Sequence, residues 1–280
     1  MSSEPVTSFE VTRDGLSQLQ RRWQVSSPRA AVLLVHGIGE HSGRYLHVGA
    51  RLAAAGFDVL AYDNRGFGQS GGRRAYVDSF DQYVDDIEDR LAERRELGVP
   101  TILIGHSLGG LMSVAHLVSD RTGPDLAVLS APALAADVPA WQRLLAPVIG
   151  RLFPRLFIPA KIDSDLLSRD LAVQKAYVDD TLVIAGATAG LGYEIFQAMK
   201  ATSAAVDRVV VPTYVLHGEI DRLVPLHASD GLARVPSVER RVWPGVRHES
   251  FNEPEQDDVM TEMIEWIDRQ LTSLPGSGAR

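Results

Sequence analysis

The 280-residue sequence contains no cysteine, which excludes disulfides, thiolate metal sites and thiol nucleophiles. Basic side chains are in deficit, because 28 Lys and Arg residues stand against 36 Asp and Glu residues and give a net charge of -8. Proteins that bind nucleic acid usually present a basic face, so this balance argues against a nucleic-acid partner. Since the sequence has no thiol, any nucleophile must carry oxygen or nitrogen.

Long apolar runs are also scarce. Residues 1–15 contain acids, a proline and no apolar core of seven residues, so the sequence predicts no secretory signal and a cytoplasmic protein. The uncharged stretch 97–119 has the length of a membrane span but is interrupted by Gly98, Pro100, Gly105, Gly109 and Gly110. We interpret it as a strand, a turn and a helix, and we predict no transmembrane segment.

Short apolar runs alternate with helix-like stretches along most of the chain. The runs predict strands at residues 30–37, 57–63, 101–107, 126–132, 211–218 and 238–245. Helical patterns lie between them at 45–55, 80–97 and 109–119, and after them at 257–271. This order predicts a doubly wound α/β fold with a mostly parallel central sheet flanked by helices. Weaker alternation in the first 25 residues predicts an antiparallel pair at the sheet edge.

The alternation stops for about 75 residues after Pro132 and returns near Val209. Its composition predicts a mainly helical cap inserted over the strand ends, where open α/β sheets bind ligands. We therefore predict a core of residues 1–132 and 208–272, a cap of residues 133–207 and a flexible tail of residues 273–280.

The strongest chemical signal is GHSLGG at residues 105–110, a G-x-S-x-G motif between a predicted strand and a predicted helix. Small flanking residues allow the tight turn that raises a serine hydroxyl above the sheet. This predicts Ser107 as a nucleophile and the amide of Leu108 as a donor to an oxyanion. The alternative is a glycine-marked turn without chemistry.

A serine nucleophile needs a histidine base that a carboxylate orients. In this topology the acid follows a late strand and the histidine comes later still. Asp221 and His248 fit that order, with Glu219 as the rival acid and a turn residue as the other reading of Asp221. We predict that His217, at a strand end, is packed rather than catalytic.

The HGIG segment at residues 36–39 follows an early strand, so the second oxyanion donor is predicted to be the amide of Ile38. His36 and His106 are predicted to be structural, His106 because it alternates to the other side of the chain from Ser107. GFGQSG at residues 66–71 matches G-x-G-x-x-G, but the acids about 20 residues later lie in a helical pattern. We interpret it as a turn and predict neither a cofactor nor a metal ion.

Taken together, these motifs resemble the monoacylglycerol lipases of the α/β-hydrolase superfamily, bacterial type. The similarity rests on HGIGEHSGRY at residues 36–45, DNRGFGQSGG, GHSLGG, LSAPAL and the segments around Asp221 and His248, in that order. It runs from about residue 30 to 268 and is loose at residues 133–159 and 186–193. Leu108 stands where this family commonly has methionine, a change of similar volume that preserves the amide.

The resemblance implies an α/β-hydrolase fold and a serine hydrolase that cleaves monoacylglycerols to glycerol and fatty acid through an acyl-enzyme. It implies the catalytic set Ser107, His248 and Asp221, with Ile38 and Leu108 as oxyanion amides. It further implies that Glu40, Arg44 and Tyr177 bind the glycerol end. The alternative for Glu40 and Arg44 is a surface ion pair four residues apart.

The cap segment 140–159 is rich in large apolar residues. They predict a tunnel for an acyl chain or a surface that touches membranes and lipid aggregates, unless the cap packs its own small core. The resemblance implies a small lipid substrate as the partner, and the oligomeric state is left open. A broad carboxylesterase, a lysophospholipase and a non-catalytic lipid-binding protein are the competing functions.

Overall fold

The computed structural model describes residues 4–137 and 147–274. Its strands are β1 (Val6–Val11), β2 (Ser17–Trp23), β3 (Ala30–Val35), β4 (Phe57–Tyr62), β5 (Thr101–His106), β6 (Leu126–Ser130), β7 (Phe157–Pro159), β8 (Gly186–Thr188), β9 (Thr213–Gly218) and β10 (Val238–Trp243). Its main helices are α1 (Leu46–Ala54), α2 (Asp81–Arg95), α3 (Leu108–Leu117), α4 (Leu171–Asp179), α5 (Ala189–Ser203) and α6 (Gln256–Ser273). Residues 147–152 are also helical.

Eight strands form one twisted sheet in the order β1-β2-β4-β3-β5-β6-β9-β10. The pairs from β4 to β10 are parallel, whereas β2 runs antiparallel to both β1 and β4. The predicted fold class is confirmed, and so is the antiparallel pair at the edge. The long connection that follows β6 returns to the sheet at Thr213, the first residue of β9, after a short 3-10 helix at Val206–Arg208.

Both faces of the sheet are covered, which explains why the central strands are apolar at every position. In β3, Leu33 and Val35 belong to a core with α2, α3 and α5, whereas Val32 and Leu34 belong to a core with α1 and α6. The period of two in a strand sends neighbours to opposite faces. Each such side chain contributes about 1.5–3 kcal/mol when it is fully buried.

The described part of the predicted cap contains α4, α5 and the antiparallel pair of β7 and β8. This strand pair was not predicted from the sequence. Side chains cap both helices: Asp170 accepts from the amide of Ala172 at 2.7 Å, and Thr188 accepts from that of Leu191 at 3.2 Å. The domain boundaries remain predictions.

The carboxyl ends of the parallel strands meet at one edge of the sheet. His36 follows β3, Ser107 follows β5, Asp221 lies three residues after β9, and His248 lies five residues after β10. Open α/β sheets bind ligands at this edge. The topology therefore gathers residues that are more than 100 positions apart in the chain.

Candidate active site

Ser107 occupies the turn between β5 and α3 in a strained conformation, with φ of 52° and ψ of -115°. Its amide donates to the carbonyl of Ser130 at 2.9 Å. A Cβ added to Gly105 would clash with Ser113 Oγ and the carbonyl of Gly109, so close packing requires glycine there. The turn projects the Ser107 side chain into a cavity at the strand ends.

The imidazole of His248 and the carboxylate of Asp221 are 2.7 Å apart, Nδ1 to Oδ2. The other oxygen of Asp221 accepts from the amides of Leu223 and Val224 at 2.8 and 2.9 Å. Because a carboxylate accepts, Nδ1 carries the proton and Nε2 is left with its lone pair. His248 lines the same cavity as Ser107, so the structure brings the predicted nucleophile, base and acid together.

The charges of Asp221 and His248 stabilise each other. Burial alone would raise the pKa of Asp221, but the charge of His248 and hydrogen bonds from His217, His248 and the Val224 amide hold it well below its usual range. Burial opposes protonation of His248, yet the charge of Asp221 and its hydrogen bond raise the pKa of His248 above the ordinary value. Asp221 thus stays ionised and favours a proton on the imidazole.

Glu219, the rival acid, points elsewhere. It is exposed and accepts from the amide of Gly245 at 3.0 Å. His217 is fully buried, as predicted for a packed residue, and bonds the carbonyl of Val224 at 3.0 Å. Its Nε2 also lies 3.4 Å from Asp221 Oδ2, a contact the sequence did not reveal.

The amides of Ile38 and Leu108 lie in the two loops predicted to hold an oxyanion. Leu108 begins α3, so its amide has no intrahelical partner. Within the ranges that the structure describes, the Ile38 amide donates to no backbone carbonyl, and Ile38 lines the cavity. His36, predicted to be structural, is fully buried and accepts from the Asn64 amide at 2.8 Å.

His106 was predicted to be structural and to lie on the other side of the chain from Ser107, and only the predicted side is wrong. It faces the same cavity as Ser107, and its ring centroid lies 4.7 Å from that of His248. The strand alternation used for the prediction ends at Ser107, where the positive φ turns the chain. Burial, followed by the charge of His248, lowers the pKa of His106 to about 4, so this ring is neutral near neutral pH.

Arg44 is the centre of a buried charge cluster at one end of the cavity. Its guanidinium bonds Glu40 Oε2 at 2.9 Å and both oxygens of Glu249, at 2.5 and 2.8 Å. Glu40 Oε1 accepts from the Gly37 amide and the Tyr45 hydroxyl. The Arg44 guanidinium lies 4.9 Å from the Tyr177 ring. The alternative of a surface ion pair for Glu40 and Arg44 is therefore wrong.

The pKa shifts in this cluster follow from its packing. Burial would raise the pKa of Glu40, but the charge of Arg44 and then of His106 and His36 lower it to about 2. Burial raises the pKa of Tyr177 to about 12. Glu249, directly after His248, was missed because adjacency in sequence gave no sign of its partner 205 residues earlier.

The cavity is lined by Gly37, Ile38, Glu40, Arg44, His106, Ser107, Ile162, Leu167, Tyr177, His248 and Glu249, and its volume is about 20 Å³. This is room for roughly one water-sized group. Three lining residues, Ile162, Leu167 and Tyr177, come from the predicted cap. Residues of the predicted cap therefore help to enclose the polar side chains of the cavity.

Among residues 4–137 and 147–274, no group of three or more His, Asp or Glu side chains is arranged to hold a metal ion. Over the same ranges no helix is both long and apolar enough to cross a bilayer. The glycine-rich segment 66–71 is a turn closed by the Gly66 amide on the carbonyl of Gly71 at 2.9 Å.

Residues 26–255 match the Hydrolase_4 family, described as serine aminopeptidase, S33. The chain belongs to the Hydrolase_4 family. A monoacylglycerol lipase of Mycolicibacterium smegmatis is 38% identical over 257 residues, which are 86% of this chain and 89% of that protein. The predicted resemblance of this Hydrolase_4 member to the monoacylglycerol lipases is thus confirmed.

Solved structures agree with the fold of this Hydrolase_4 chain. The crystal structure of the Paleococcus ferrophilus monoacylglycerol lipase superposes with a TM-score of 0.81 at 32% identity, over 91% of this chain and 99% of that one. A soluble variant of the Saccharomyces cerevisiae monoglyceride lipase gives 0.85 over 96% of each chain; at 22% identity it supports the fold alone. The α/β-hydrolase fold is therefore confirmed.

Proposed function

We propose that this chain hydrolyses the ester bond of monoacylglycerols, with Ser107 as nucleophile, His248 as general base and Asp221 as the acid that orients it. The 2.7 Å contact of Asp221 with His248, beside Ser107 in one cavity, is the observation that carries the proposal. The related lipases named above supply the substrate class. Geometry alone indicates ester or amide cleavage.

In the proposed reaction Ser107 Oγ attacks the ester carbonyl carbon while His248 Nε2 takes the hydroxyl proton. The amides of Ile38 and Leu108 stabilise the negative carbonyl oxygen. The tetrahedral intermediate collapses, His248 returns the proton to the leaving oxygen, and glycerol departs from the acyl-enzyme. Water then repeats these steps at the same carbon and releases the fatty acid and Ser107.

Glu40, Arg44 and Tyr177 line the part of the cavity proposed to receive a hydroxyl group of glycerol, which is about the size of the space there. Among residues 4–137 and 147–274, Glu40 Oε2 has one side-chain donor, Arg44, and a carboxylate oxygen can accept a second hydrogen bond from a glycerol hydroxyl. The ring of Tyr177 and the guanidinium of Arg44 provide a flat wall.

The predicted cap is the proposed site of lipid contact. Large apolar residues are exposed along one short stretch, namely Val148, Leu152, Phe153, Leu156, Phe157 and Ile158. The charged residues of segment 147–162 are all basic, namely Arg151, Arg155 and Lys161. Such a surface suits transient contact with membranes or lipid aggregates. The predicted tunnel residues Trp141, Leu144 and Leu145 lie outside the described residues, and the cytoplasmic location stays a prediction.

The test of the function is turnover with a substrate panel. Wild-type protein should cleave 1-monooleoylglycerol in preference to dioleoylglycerol, lysophosphatidylcholine and p-nitrophenyl acetate. Ser107→Ala should lower turnover by about 10⁴-fold or more while the protein stays folded. A preference for lysophosphatidylcholine or for short esters would replace the proposal with a lysophospholipase or a carboxylesterase. Failure of a fluorophosphonate to label Ser107 would favour a non-catalytic lipid-binding protein.

A further inference from the structure

The loop that carries His248 contains a second buried carboxylate, Glu253, that the proposed reaction does not use. Glu253 is fully buried. Its Oε1 accepts from the amide of Arg247 at 2.7 Å. Its Oε2 accepts from Arg169, from the amide at 3.0 Å and from the side-chain Nε at 3.2 Å. The carboxylate of Glu253 thus joins Arg247, the residue before His248, to a segment that lies 84 positions before Glu253.

Glu249, the residue after His248, is held by the segment that precedes Arg169. The amide of Glu249 donates to the carbonyl of Leu167 at 2.9 Å. Ser168 is also fully buried, and its hydroxyl donates to the carbonyl of Asn252 at 2.8 Å. Residues 167–169 therefore form a backbone support, here called the 167–169 support, for the loop of residues 247–253.

This arrangement fixes the main chain on both sides of the imidazole. The Asp221 contact orients the His248 ring about its own bonds, but it does not fix where the backbone places the ring relative to Ser107. The Arg247 amide donates to Glu253, which Arg169 holds, and the Glu249 amide donates to Leu167. These two hydrogen bonds supply that restraint. An error of about 1 Å in the position of a catalytic group costs on the order of 100-fold in rate.

We propose that Glu253 is a positioning residue, which ties the loop of His248 to the 167–169 support and so keeps Nε2 within reach of the Ser107 hydroxyl. This inference rests on the proposed function of Ser107 and His248. It assigns the segment around Arg169, which lies within the predicted cap, a part in the chemistry and not only in covering the site.

Both carboxylate oxygens of Glu253 face N–H donors, so an amide in its place must turn its NH₂ group toward one of them. Glu253→Gln therefore breaks one of the two ties with little change of volume. Glu255→Gln is the matched control. Glu255 is partly exposed and pairs with the same Arg169 through Nη2, but no contact joins it to the backbone of residues 247–249.

The experiment measures two quantities on each full-length variant, namely the rate constant and the final extent of Ser107 labelling by a fluorophosphonate. The rate constant reports how well His248 activates Ser107, whereas the final extent reports the fraction of intact sites. Glu253→Gln should lower the rate constant about 10- to 100-fold with the final extent unchanged. With p-nitrophenyl butyrate, kcat should fall by a similar factor while KM changes less than twofold. Glu255→Gln should match wild type within twofold.

The inference is overturned if Glu253→Gln labels as fast as Glu255→Gln, or if it only lowers the final extent at an unchanged rate constant. The second result is what a purely structural role predicts. Should Glu253→Gln fail to fold, Arg169→Met removes the Nε donor and leaves the backbone amides in place. It should label at least threefold more slowly than Glu255→Gln, and equal rates would overturn the inference. Absence of labelling in wild type would instead refute the proposed function.

Discussion

Arg44 and Glu249 form a two-point ion pair inside the protein, with Nη1 to Oε1 at 2.5 Å and Nη2 to Oε2 at 2.8 Å. Glu249 directly follows the proposed base, and Arg44 also holds Glu40 in the loop of the proposed oxyanion amide. The pair therefore joins two loops that are more than 200 residues apart. Because the pair is buried, removing one partner should cost more stability than it would in a surface pair.

Removing Arg44 should destabilise the fold. Arg44→Met leaves Glu40 and Glu249 buried without their cation, so we expect a loss of about 3–5 kcal/mol in the free energy of unfolding. Urea denaturation measures it. Lys175→Met is the control, because Lys175 and Asp179 form an exposed i,i+4 pair and should change stability by less than about 0.5 kcal/mol. Equal effects of the two substitutions would contradict the role of burial.

The identity of the orienting acid is testable by one pair of variants. Asp221→Asn should lower kcat by about 10⁴-fold while the protein stays folded, because an amide no longer holds the proton of His248 on Nδ1. Glu219→Gln should have little effect, since Glu219 is exposed and bonds only the amide of Gly245 among its described contacts. Steady-state turnover of p-nitrophenyl butyrate compares them. The assignment is wrong if Glu219→Gln is the variant that loses activity.

The pH profile should show an acid limb above the ordinary histidine value. The reaction needs neutral His248, and Asp221 raises the pKa of this ring with smaller contributions from Glu249 and Glu40. A raised pKa means that the proton is kept to higher pH, so kcat/KM should fall as pH drops through a midpoint above about 6.5. His106, the other ring in contact, has a pKa of about 4 and should not contribute to this limb. A midpoint at or below 6 would contradict this assignment.

Two glycines should respond in opposite ways to alanine. Gly105→Ala places a Cβ against Ser113 and Gly109 in the turn of Ser107, so we expect a loss of several kcal/mol or failure to fold. Gly192 lies in α5 with open space where an added Cβ would lie, so Gly192→Ala should stabilise the protein by up to about 1 kcal/mol. Thermal denaturation of both variants measures the difference. Stable folding of Gly105→Ala would show that the turn is less tightly packed than the structure indicates.

The sequence predicted the parts of the site that depend on short segments. The GHSLGG motif placed Ser107 between a strand and a helix because glycine spacing and apolar runs are local properties. The order of Asp221 and His248 followed from strands that were recognisable one by one. The edge pair of β1 and β2 was also predicted, from weak alternation in neighbouring residues.

Other features depended on contacts between distant segments. Local sequence could not show that Glu40 and Arg44 are buried, because Glu249 and Tyr177 bury them from far along the chain. The predicted side of His106 was wrong because a rule for extended strands was applied across a residue with positive φ, whereas its structural role stays a prediction. The strand pair β7 and β8 was missed since each strand has only three residues, too few for a pattern.

The sequence by itself determined the fold class and the residue types that can carry the chemistry, because periodicity and short motifs act over a few residues. Tertiary structure alone decided which charges are buried together and how Glu253 connects the loop of His248 to Arg169. Burial and partner choice are properties of segments that meet only after folding. The electrostatic energies of the site depend on which charged groups folding brings together, since a charge interacts far more strongly inside the protein than in water.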